Sequence, residues 1–103
     1  MKKLMIMSLA VSLALAATGS SAQSEKELDC GYQADVVDAV KNARMEGVSE
    51  RKLQKTIEAS DPPWPARYSK AIPVLAPYVY AIKKRDLREI DLRSEWLGTC
   101  MNN

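Results

Sequence analysis

The sequence predicts an all-α protein: a small bundle of four to five helices, the third kinked by prolines, with one long-range disulfide joining the first helix to the last. Three observations carry this. Apolar residues recur at helical spacing in the first helical stretch and share one face of the last. The one run of strand-like composition, Tyr78-Val79-Tyr80-Ala81-Ile82, has no second strand candidate to pair with. The only two cysteines, Cys30 and Cys100, stand near the two ends of the helical part.

The first 22 residues are ordered as a Sec signal peptide: Lys2-Lys3, an apolar stretch from Leu4 to Ala17, then Thr18-Gly19-Ser20-Ser21-Ala22 with small residues at the −3 and −1 positions. Cleavage is expected after Ala22, with an earlier cut after Ala16 as the alternative. Roughly 14 apolar residues fall short of the ~20 that cross a bilayer, so a retained anchor is not expected. No cysteine directly follows the apolar zone to take a lipid. Residues 23–103 are therefore expected as one small helical domain, periplasmic or secreted, in a bacterial style of export.

From Ser24 to Glu46 there is no proline, and Val36, Val40 and Ala43 fall at i, i+4 and i+7 beside Cys30 and Val37. Gly47 supplies the stop. Ser49 is placed to cap a second helix, Glu50 to Ala59, with Val48 and Leu53 as a hydrophobic staple. Ser60-Asp61-Pro62-Pro63-Trp64-Pro65 is a stiff connector that regular helix cannot include. Between Ala66 and Lys84, Pro73 and Pro77 predict a kink or two short pieces. Asp86 with Glu89 resembles a capping box opening a last helix to about Cys100, with Leu87, Ile90, Leu97 and Met101 on its core face.

In an oxidising compartment an isolated pair of cysteines forms one bridge. A closed loop of about 71 residues removes roughly 4.4 kcal/mol of denatured-state freedom in the chain-entropy model. That is large for a domain of about 80 residues. Without C-x-x-C spacing the pair reads as a structural staple, not a redox centre.

The sequence of 103 residues has no histidine, which removes the commonest acid–base residue near neutral pH and the His-containing triads and zinc sites. There is no nucleophile elbow, no phosphate loop and no cluster of metal ligands. No catalytic residue, cofactor or metal is expected. The 15 Lys and Arg against 13 Asp and Glu become 13 against 13 once Lys2 and Lys3 leave with the signal, so a general polyanion binder, and nucleic acid in particular, is not expected.

The candidate partner-binding residues are Trp64, Tyr68, Tyr78, Tyr80, Arg44 and Gln33. Trp64 stands between Pro63 and Pro65, whose stiffness suits either an exposed hot spot or a lid turned back on the core. Tyr68, Tyr78 and Tyr80 follow closely and suit a tyrosine-lined groove or ordinary packing. Gln33 and Arg44 are polar residues on the side of the first helix that should be buried, where each needs a partner. Asp35, Asp38, Asn42 and Glu46 fall within an arc of roughly 80° opposite the apolar face and read as a solvated stripe. Lys83-Lys84-Arg85 with Arg88 is the densest positive patch, interleaved with carboxylates as a salt-paired junction.

In plan, with a signal peptide, about 80 helical residues and one long-range disulfide, the chain resembles small acid-stress chaperones and several immunity or inhibitor proteins of the bacterial envelope. The resemblance is architectural and transfers no residue roles. The function expected is contact with another envelope or secreted protein, as an inhibitor, immunity factor or envelope accessory protein. The alternative is an acid- or envelope-stress periplasmic chaperone, whose opening, without histidine, would fall in the carboxylate range below about pH 5.

Overall fold

Ser24 caps the first helix, α1 (Glu25–Met45), in the computed structural model, which describes residues 24–103. The signal-peptide reading of residues 1–22 lies outside the described residues. Ser24 Oγ accepts from the Glu27 amide at 3.0 Å, and the Glu27 carboxylate accepts from the Ser24 amide at 3.0 Å. Two orphan donors are thus satisfied reciprocally. At the other end Gly47 takes φ +91°, the left-handed turn that a side chain disfavours. It lets the Val48 amide reach the Ala43 carbonyl and the Gly47 amide reach Arg44, both at 3.0 Å.

The buried face of α1 is formed by Cys30, Ala34, Val36, Val37, Val40 and Ala43. Helices α2 (Leu53–Ala59), α3 (Ile72–Tyr80), α4 (Lys84–Arg88) and α5 (Leu92–Met101) all pack on it. Cys30 and Cys100 are joined, with Cα atoms 5.7 Å apart. Among the described residues, the all-α class, the five helices and the staple between first and last agree with the sequence.

The second helix starts later than its sequence implied. Ser49 makes no side-chain cap bond; instead the Lys52 amide bonds the Ser49 carbonyl at 3.0 Å and Glu50–Lys52 forms a 3₁₀ turn ahead of α2. Val48 still packs on the core and Leu53 is buried. The proline-broken third helix appears as a 3₁₀ segment, Ala66–Ala71, running into α3, with Pro73 near its start and Pro77 inside. The strand-like run stays in helix and turn, the Ala81 amide bonding the Pro77 carbonyl at 3.1 Å.

The expected single helix from Asp86 is two. Leu87 and Leu92 are both buried, yet on one continuous helix they would lie about 140° apart. The chain breaks at Glu89–Asp91, which brings both inward. The freed Ile90 carbonyl accepts from Lys41 Nζ of α1. Asp91, not Asp86, is the cap: its side chain accepts from the Ser94 amide at 3.1 Å and from the Ser94 hydroxyl at 2.9 Å. As a result Trp96 packs against the core with Ile90, while Leu97 and Met101 are half-buried outside the main apolar cluster.

Candidate interaction surface

Trp64 belongs to the core. It is 7% exposed, and its Nε1 donates at 3.0 Å to Ser69 Oγ, itself buried in the first turn after the connector. Of the two arrangements the sequence left open, the ring takes the lid and is not an exposed hot spot. The physical reason is that Ser69 satisfies the indole N–H inside, so the ring's large apolar area is enclosed with no polar group stranded. Asp61, at φ +57°, turns the chain ahead of the prolines. Shallow concavities of about 390 and 310 Å³ flank the ring, the first with Glu58 and Asp61 in its wall and the second with Asn42 and Glu46.

The three tyrosines do not form one groove. Tyr68 turns to α1: its hydroxyl donates to Asp29 Oδ1 at 2.6 Å, its ring lies 5.1 Å from that of Tyr32, and the Arg67 guanidinium sits 4.8 Å above it. The hydrogen bond to Asp29 raises the Tyr68 phenol above its ordinary pKa, with desolvation adding to it. Tyr80 turns to the α1–α2 corner, where its hydroxyl donates to the Val48 carbonyl at 2.7 Å and burial raises its pKa. Tyr78 alone faces solvent, 57% exposed.

Gln33 and Arg44 both find partners on other elements. Gln33 Nε2 donates to Asp29 Oδ2 at 2.8 Å, and Gln33 Oε1 accepts from Trp96 Nε1 at 3.0 Å. A polar chain, Tyr68–Asp29–Gln33–Trp96, thereby links the 3₁₀ segment, α1 and α5 beside the disulfide. Arg44 donates through Nε and Nη2 to the Ile82 carbonyl at 3.2 and 2.7 Å, with its guanidinium 5.1 Å from the Tyr80 ring centre. It secures the turn after α3 through that carbonyl. The acidic stripe of α1 is not wholly solvated either, since Asp35 pairs with Arg93 of α5 at 2.8 Å.

What remains free is the outer face of α3. Ile72, Leu75, Ala76 and Val79 face the core, but Pro73, Val74, Pro77 and Tyr78 on the other side are also apolar and exposed, Val74 by 75%. Beside Tyr78 a concavity of about 150 Å³ is walled by Leu92, Glu95, Trp96 and Thr99 of α5. Val74 and Trp96 escaped the sequence reading; the signal for Trp96 is the spacing of Leu92, Trp96 and Thr99 at i, i+4 and i+7, visible once the helix starts at Leu92. Among the described residues no cluster of three or more His, Cys, Asp or Glu forms a metal site, and no helix is long and apolar enough to cross a membrane. The disulfide suits an oxidising compartment. Compared with family models, curated proteins and solved structures, the chain matches none.

Proposed function

We propose that this chain is a small, exported, disulfide-stapled binding protein of the periplasm or extracellular space, acting by protein–protein contact through the outer face of α3 and its groove with α5. Inhibitor, immunity factor and envelope accessory protein are the roles this describes. The observation that carries the reading is the exposure of Val74 and Tyr78; among the described residues only Leu28 is another large apolar side chain so exposed. A helix apolar on both sides has an outer face left for something else to cover. Its frame is held by the Cys30–Cys100 bridge, by Arg44 on the turn after α3 and by Arg93 on Asp35. A surface ordered in advance loses little freedom on binding, and an exposed tyrosine is a frequent anchor.

Pull-downs from envelope extract with the wild type, Val74→Asp and Tyr78→Ala test this. A band recovered by the wild type and lost from both variants, with unchanged unfolding curves, supports the reading. Equal recovery by all three removes the α3 face, and no specific band from the wild type removes the binding function. The acid-chaperone alternative predicts a different result: suppression of client aggregation, followed by light scattering, at pH 3 and not at pH 7.

A further inference from the structure

We propose that the outer face of α3 receives a partner segment with an apolar centre and carboxylates at both ends. This rests on the protein-contact reading above and adds the chemistry of the partner. From Ala66 to Arg85 the chain carries five Lys or Arg and no Asp or Glu, whereas the rest of residues 24–103 holds all thirteen carboxylates and only eight Lys or Arg. Neutral in sum, residues 24–103 are uneven in charge along the sequence. The positive segment is the one that carries the uncovered apolar face.

The order along that segment matters. Lys70 stands one turn before Val74, and Lys83, Lys84 and Arg85 follow the last turn of α3; all four are exposed. Between them Pro73, Val74, Pro77, Tyr78 and Ala81 are exposed and carry no charge. Among the described residues only Arg85 of the four makes an ion pair, with its exposed neighbour Asp86 at 3.7 Å. Between the two cationic ends α3 spans about 14 Å at helical rise, so a partner segment of about 14 helical residues covers it and reaches past it at each end.

Three occupants fit an apolar face, and charge separates them. A second copy of this chain would set cationic ends against cationic ends in either orientation. An anionic lipid surface suits the lysines, but the slot beside Tyr78 is concave, and Glu95 stands in its wall. A headgroup layer neither fills that slot nor tolerates its carboxylate. A protein segment does better on both counts: an uncharged apolar side chain enters the slot against Trp96 and sets no anion against exposed Glu95, while its acidic ends meet Lys70 and Lys83–Arg85. Charges at such a rim act chiefly on encounter rate and salt dependence.

The test is a displayed library of random peptides of about 14 residues, panned against the oxidised protein. Enriched peptides should carry Asp or Glu on both sides of an apolar centre. A labelled peptide of that kind should lose about tenfold or more in affinity to the triple variant Lys70→Glu, Lys83→Glu, Lys84→Glu, with a similar loss at high salt. These exposed positions leave the unfolding curve as the check on folding. Enriched peptides without acidic ends, lost on Val74→Asp but indifferent to the triple variant, would overturn the acidic partner and leave the α3 contact standing. Peptides indifferent to both changes would overturn both. No enrichment, or displacement of the peptide by vesicles containing about a quarter phosphatidylglycerol, would also overturn the proposal, while the pull-down separately decides the binding function.

Discussion

Replacing Trp64 with alanine measures how far the connector is part of the core. A tryptophan buries about 150–250 Å², which at about 25 cal/mol per Å² corresponds to about 4–6 kcal/mol. Large-to-small substitutions at enclosed aromatic sites cost about 3–5 kcal/mol. With Trp64 only 7% exposed, the upper part of that range applies, which is most of the stability of a domain this small. Trp64→Phe keeps an aromatic ring but loses part of its enclosed volume, and it also strands Ser69 Oγ, a buried acceptor, at a further cost of about 1–3 kcal/mol. Adding Ser69→Ala to Trp64→Phe should recover much of that loss, so the two changes together cost less than their sum. Urea unfolding followed by far-ultraviolet circular dichroism gives all four corners of the cycle. A Trp64→Ala cost under about 0.5 kcal/mol, the usual size of a surface change, would refute the enclosed ring.

Three further outcomes follow from the same contacts. Cys30→Ala with Cys100→Ala, which opens a loop spanning a sequence separation of 70, should lower stability by about 4.4 kcal/mol; an unchanged urea midpoint would show that α1 and α5 do not need the staple. Arg44→Met strips the Ile82 carbonyl of both its side-chain donors and should cost about 1–3 kcal/mol, with Arg44→Lys an incomplete replacement because it lacks the planar fork; a wild-type melting curve for Arg44→Met would sink this role. The Ser94 backbone amide and then its hydroxyl hold the Asp91 carboxyl below its ordinary pKa of 3.8. A depressed carboxyl stabilises the fold fully above its unfolded pKa and loses that contribution as pH falls through its folded pKa. The gap in stability between wild type and Asp91→Ala should therefore be widest at neutral pH and narrow below pH 3.8; a gap constant from pH 7 to pH 2 would contradict the charged cap.

What the sequence made legible was local. The absence of proline from Ser24 to Glu46, the apolar spacing through Ala43 and the stop at Gly47 define α1 within a few residues of each boundary. Two cysteines without competitors define the staple. The break before α5 was hidden, since it is held by Lys41 bonding the Ile90 carbonyl across 49 residues and by two leucines that must both face inward. Gln33 and Arg44 stood out correctly as polar residues needing partners, but those partners, Asp29, Trp96 and the Ile82 carbonyl, come mostly from other elements. For Trp64 the sequence left lid and hot spot open, because prolines fix the backbone and not the direction of the ring. Tyr78 was legible as a candidate binding residue. Its groove was not, because the opposite wall belongs to α5, whose phase depends on the hidden break.

The central claim, that the outer face of α3 is where this protein meets its partner, is tested most directly by photocrosslinking in the producing cell. A photoreactive amino acid is placed at Val74 or Tyr78, and at exposed Lys55 of α2 as the comparison. Discrete adducts of higher mass from positions 74 and 78, absent at 55, are the predicted result. Adducts at 55 alone, or the same adducts at all three positions, would contradict it.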